Sequence, residues 1–190
     1  STLEAAIASR KAAKSSSEYR VGRHMRGLWL KIWIASQRAS SARSIALAVD
    51  AVGGEMNAYT SREHTAYYLR LPVAELEPGL RLLADVVSEP AFRPHELDAE
   101  REVIVEEILM SEDTPDDLVL TALYESLYPE HPLGRETLGT RDSVEAMGRD
   151  DVAAFHQRWY RPRNLVIAAA GDLAHDRVVA AVDGLFELGE

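Results

Sequence analysis

The sequence predicts an α+β fold, with helices packed on one face of a largely antiparallel sheet. Three observations carry that expectation. Segments with helical spacing outnumber those with strand spacing, whereas the stretch behind Gly53-Gly54 and the run Leu165 to Ala170 read as strands; neither a regular βαβ alternation nor a repeat of about 20–50 residues is present. At 190 residues the chain can bury a real core and is most simply one domain.

Taken in order, residues 1 to 14 set Ala5, Ala6, Ala12 and Ala13 among Arg10, Lys11 and Lys14, which reads as a weak helix or a disordered stretch ended by Ser15-Ser16-Ser17. Between Glu18 and Ile34, the residues Leu28, Leu30, Ile32 and Ile34 alternate with Trp29, Lys31 and Trp33; a strand or a short buried helix fits equally. Ser36 to Ser44 is a Ser/Arg linker. Ile45, Leu47, Val49 and Val52 belong to an apolar helix that Gly53 ends as a C-cap. A strand over 57 to 71 follows, and Pro72 opens a helix whose Leu76, Leu80, Leu83 and Val87 form a core-facing stripe.

Pro90 closes that helix. Pro94 suits the first turn of the next, which runs from His95 to Met110 and precedes an acidic break over Ser111 to Asp117. A helix over Leu118 to Leu127 leads into an irregular loop containing Pro129 and Pro132. Asp150 is placed to cap a helix bearing Val152, Phe155 and Trp159; Pro162-Arg163-Asn164 then turns into the strand Leu165 to Ala170, and Asp176 to Leu185 is a final amphipathic helix.

Composition narrows the chemistry. With 46% hydrophobic and 27% charged residues the chain is ordinary for a water-exposed globular domain, and its longest apolar runs fall far short of the ~20 residues of a membrane span. Ser1-Thr2-Leu3-Glu4 lacks the basic and apolar regions of a secretory leader, so a cytoplasmic location without a membrane partner is expected. There is no cysteine, so any metal must be held by His and carboxylate. Residues 1–44 hold nine Lys or Arg against two acids, a net of +7, and residues 45–190 hold twelve against twenty-nine, a net of −17. That acidic body would repel nucleic acid, which is not expected as a partner.

Several blocks stand in a specific order: Gly53-Gly54-x-x-Asn57-Ala58-x-Thr60 with Thr65, Glu100-Arg101-x-Val103-Ile104-x-x-Glu107-Ile108, Glu112-Asp113-x-Pro115, His131-Pro132-Leu133-Gly134, and Gly171-Asp172. In this order they resemble the M16 zinc metallopeptidases, the insulinase and mitochondrial-processing-peptidase group, over roughly residues 41 to 185. The resemblance implies a metallohydrolase-type domain of the LuxS/MPP-like kind, one quarter of a clamshell that encloses a peptide. It divides the chain into an atypical basic segment, 1–40, and a partial N-terminal peptidase domain, 41–190.

In such enzymes two His of an H-x-x-E-H helix bind zinc, the Glu between them activates water, and a later Glu is the third ligand. By position that third ligand is Glu107, with Glu100 as an auxiliary carboxylate two turns earlier. The motif itself is absent: family spacing puts the first His slot at Gly27, the base slot at Leu30 and the second His slot at Lys31. A register three residues earlier keeps His24 but puts Gly27 at the base slot and Leu28 at the second ligand.

Asn57, Ala58, Tyr59 and Thr60 correspond to the edge strand that takes an extended peptide. His64, His95, His131, His156 and His175 have no ligand spacing and read as surface or loop residues, and Tyr67-Tyr68 and Trp159-Tyr160 as packing. The missing motif admits two accounts, a non-catalytic member that pairs with an active subunit or an N-terminal stretch that is not the native reading of its gene. The expectation is a zinc endopeptidase fold that is inactive as written; the alternative is a peptide-binding or partner subunit that works with a second M16 domain or subunit.

Overall fold

The computed structural model describes residues 2–10 and 42–186. Strands β1 (Thr2–Arg10), β2 (Glu55–Thr60), β3 (His64–Pro72) and β4 (Leu165–Ala170) form one sheet in the order β2-β3-β1-β4, every neighbouring pair antiparallel. The helices are α1 (Ala42–Ala51), α2 (Leu76–Ser88), α3 (Pro94–Glu112), α4 (Pro115–Leu127), α5 (Arg141–Glu145), α6 (Arg149–Trp159) and α7 (His175–Val182).

The core lies between the sheet and the helices. Ala58 of β2 and Tyr67, Leu69 and Leu71 of β3 meet Ile45 and Val49 of α1, the α2 stripe Leu76, Leu80, Leu83 and Val87, and Ile104 and Ile108 of α3. Each such aliphatic side chain contributes about 1.5–3 kcal/mol when fully buried. The opposite face of the sheet is exposed at Tyr59, Val166, Ala168 and Ala170. The α+β reading with helices on one face therefore holds.

Four local readings need correction. Residues 2–10 are an inner strand of the sheet, paired with β3 and β4 on either side; the ladder they complete outweighs the helical preference of their alanines. The strand expected over 57 to 71 is a hairpin, broken where polar Ser61-Arg62-Glu63 interrupts the alternation. The acidic break before α4 shrinks to Asp113-Thr114, because Pro115 starts that helix as an N1 proline. At α6 the N-cap is Gly148, whose N–H donates to Asp151 Oδ2 at 2.9 Å; Asp150 does not cap. The loop after α4 also contains a 3₁₀ turn over Pro132–Gly134, and the short α5, unanticipated, is set by the reciprocal Thr140/Ser143 capping box. The Glu18 to Ile34 reading and the slots at His24, Gly27, Leu30 and Lys31 lie outside the described residues.

Candidate functional site

The turn after α1 is set by Gly53, whose φ of +70° is open to glycine, and it delivers the chain into β2. Among the described residues β2 is an edge of the sheet. Ser61 N–H donates to His64 C=O at 2.8 Å, so the alternation of an antiparallel ladder turns the N–H and C=O groups of Met56, Ala58 and Thr60 away from β3. The Ala58 N–H is held by the neighbouring Asn57 Oδ1 at 2.8 Å, which blunts the edge.

Side chains divide by face as the backbone requires. Ala58 is buried, Asn57 and Tyr59 point to the exposed face, and the Tyr59 ring meets His64 edge-on at 5.7 Å. Thr60 joins Thr65 across the hairpin through their hydroxyls at 3.2 Å. The four residues expected to take a peptide thus form one short strand with alternate main-chain groups outward.

On α3, Glu100 and Glu107 lie two turns apart beside the buried Ile104 and Ile108, and both are half-buried, whereas Glu102 and Glu106 are exposed. A solvated acidic face would leave all four exposed. The helix thus separates two carboxylates from the rest, and one oxygen of Glu100, Oε1, is shielded from solvent. As a zinc site the donor set falls short: among the described residues no group of three His or carboxylates converges, and His24 is the only further donor that the motif slots offer. Two protein ligands do not make the three-ligand open site in which zinc activates water. The described residues, taken with the donors of the motif slots, do not make up that set.

A buried polar layer lies beneath the hairpin. Tyr67 Oη and Tyr160 Oη are 3.3 Å apart, and burial pushes both hydroxyl pKa values up, so both stay protonated. His156 stacks on Tyr160 at 4.9 Å, meets Phe92 edge-on and donates from Nε2 to the Val87 carbonyl at 2.9 Å. His156 was expected at the surface but is buried, because it follows Val152 by one turn on the core face of α6. The tyrosines are packing, as expected.

Burial lowers the His156 pKa, aided by the Arg161 charge and opposed by the Val87 hydrogen bond. The folded state therefore holds neutral imidazole more strongly than the unfolded chain does. Its stabilisation is full above the unfolded value of about 6.5 and is lost as pH falls through the lower folded value. Thermal unfolding is expected at lower temperature as pH goes from about 7 to 5, with a smaller drop in His156→Phe; equal pH slopes in the two proteins would refute the assignment.

Sequence reasoning missed the anchorage of the hairpin tip. Arg62 reaches the carbonyls of Leu133 and Arg135 and the Glu136 carboxylate, and its guanidinium lies over the Tyr124 ring at 4.0 Å. The readable signal was an arginine at a tight turn that lacks Gly and Asn.

Comparison with known proteins places this arrangement. The profile described as Insulinase (Peptidase family M16) matches residues 32–141, and that of the Peptidase M16 inactive domain matches residues 146–188. A protein of Mycobacterium leprae named as a zinc protease is 42% identical over 147 residues, 77% of this chain and 33% of its own length. One of Streptomyces coelicolor, also named as a zinc protease, is 40% identical over 150 residues, 79% of this chain and 33% of its own. The chain thus spans about a third of the length of the curated relatives it matches. Among solved structures, a protease from Helicobacter pylori superposes with a TM-score of 0.87 at 20% identity over 98% of this chain and 45% of that one. The periplasmic protease PqqL of Escherichia coli gives 0.83 at 21% over 98% and 21%. The structural likenesses carry the fold; the profile over more than half the chain carries the assignment, and the chain belongs to peptidase family M16, the insulinase family.

Proposed function

We propose that this chain contributes the peptide-binding edge of an M16-type peptidase, taking an extended peptide as an added strand on β2, and that as written it does not itself cleave the peptide. The observation that carries the reading is the outward set of main-chain groups at Met56, Ala58 and Thr60, beside the exposed Asn57 and Tyr59. Hydrolysis belongs to a version of this site with a full zinc motif. A second M16 domain or subunit completes the chamber. Two features support that partner: the relatives are more than twice as long as this chain, and α4 has no buried residue while exposing Leu120, Leu123 and Leu127 along one stripe.

The test uses a fluorescein-labelled, proline-free 14-residue peptide, and the same peptide N-methylated at alternate residues. Saturable binding is expected for the first and none for the second, since methylation removes the N–H groups that pair with the edge. Ala58→Pro removes an outward donor, one that the peptide takes over from Asn57 Oδ1, without touching the β3 ladder, a position where an edge strand tolerates proline. Affinity is expected to fall about 2–10-fold, the worth of one net hydrogen bond. Equal binding of both peptides would exclude strand addition.

A further inference from the structure

We infer that Arg62 is a positioning residue, which clamps the β2–β3 hairpin tip to α4 and the 131–137 loop and so fixes the edge strand for a peptide; the inference rests on the edge-strand reading above. The tip Ser61-Arg62-Glu63-His64 does not specify its own geometry. Among the described residues only Phe92 and Glu130 are non-glycines with positive φ, so Arg62 and Glu63 do not form the type I′ turn that matches strand twist. Inside the hairpin the turn is held by the Ser61 hydroxyl, which accepts the N–H groups of Glu63 and His64 and also meets His64 Nδ1 at 2.9 Å. Those contacts join the turn to itself, not to the body of the domain.

Arg62 supplies the outside anchor. Its Nη1 donates to Leu133 C=O at 3.2 Å and to Arg135 C=O, and its Nη2 lies 3.6 Å from Glu136 Oε2. The two carbonyls flank Gly134, where a Cβ would collide with the Tyr128 carbonyl; the loop therefore presses on the end of α4 only because that residue is glycine. Glu136 is itself fixed. Partial burial works to raise its pKa, but hydrogen bonds from the Thr137 hydroxyl and N–H and from the Thr121 hydroxyl, with the Arg62 charge, outweigh it and hold the carboxyl below its ordinary range.

The guanidinium thus meets two carbonyls, a carboxylate and an aromatic face at once. A lysine ammonium keeps the charge but not the planar fork or the stack. The side chain is 16% exposed, so these contacts are largely out of water. Such an anchor removes freedom from the strand end that carries Tyr59 and Thr60, which an extended peptide would otherwise have to order on binding.

The experiment measures amide hydrogen exchange on the 190-residue chain, with Arg62→Ala, Arg62→Lys and Glu136→Gln, beside affinity for the labelled 14-residue peptide. In both Arg62 variants, the hydrogen-bonded hairpin amides 59, 61, 63, 64 and 66 are expected to exchange about tenfold or more faster, with α2 amides 80–87 unchanged, and peptide affinity to fall about 3–10-fold. Glu136→Gln gives a smaller change of the same pattern. Unchanged exchange at those hairpin amides in Arg62→Ala, or full rescue by lysine, overturns the clamp. Faster exchange throughout the core, with a matching drop in melting temperature, makes Arg62 merely structural and also overturns it. If wild type binds no peptide although the variants loosen only the hairpin, the edge-strand reading fails, and the positioning role with it.

Discussion

Purified without chelator, the chain is expected to hold no stoichiometric zinc by elemental analysis and to show no peptide turnover above buffer that 1,10-phenanthroline suppresses. The argument is one of donors. Zinc in such a site needs three protein ligands and an adjacent carboxylate base, and the slots for two of those ligands and the base hold Gly27, Leu30 and Lys31. The alternative register recovers only His24. Loss of the base alone removes about 10²–10⁴-fold from a hydrolytic rate, and loss of two ligands removes the metal that lowers the pKa of bound water. Glu107→Ala is expected to leave both zinc content and turnover at the wild-type baseline. One zinc per wild-type chain, lost in Glu107→Ala together with chelator-sensitive turnover, would sink the inactive reading and restore an active M16 enzyme.

The parts of the fold that were legible are those where local chemistry and tertiary role agree. The α2 stripe at Leu76, Leu80, Leu83 and Val87, the Gly53 stop and the N1 proline at Pro94 each declared their structure through spacing or backbone restriction. Strand β1 did not. Its alanines carry little strand preference, and the force that extends them is pairing with β3 and β4, residues more than fifty and a hundred and fifty positions away. The hairpin was half legible: its strands were read as one because its turn uses Ser61 side-chain bonds and a remote arginine anchor in place of Gly or Asn.

At the site the same division holds. The spacing of seven between Glu100 and Glu107 placed both carboxylates on one face, and the structure sets that face half in the core, apart from Glu102 and Glu106. The backbone polarity of β2 was not readable, since only the Ser61–His64 pairing fixes which amides turn outward. His156 misled because a lone histidine carries no sign of its tertiary partner; Val87, whose carbonyl it holds, belongs to another helix.

The largest stability effects are expected where Leu71 of β3 is gripped between two glycines. A Cβ at Gly54 would collide with Leu71 Cδ2 and one at Gly79 with Leu71 Cδ1, so a single leucine, 4% exposed, fixes how closely the double-glycine turn and α2 approach the sheet. Gly79→Ala gains about 1 kcal/mol of helix propensity yet is expected to lose about 1–3 kcal/mol overall through overpacking. Leu71→Ala alone should cost about 2–5 kcal/mol as a cavity. In the double variant the new methyl occupies part of that cavity, so the cost falls below the sum by about 0.5–3 kcal/mol, read from urea unfolding at constant m. Gly54→Ala should be rescued less by Leu71→Ala, because Val49 Cγ1 at 3.0 Å and the Arg70 carbonyl at 3.1 Å still oppose the added carbon. Additive costs for Leu71→Ala and Gly79→Ala would show that the leucine does not set the spacing. Since Gly54 leads directly into β2 and Gly79 does not, only the Gly54 substitution is expected to weaken peptide binding at temperatures where both variants remain folded, which ties the packing of one leucine to the position of the edge strand.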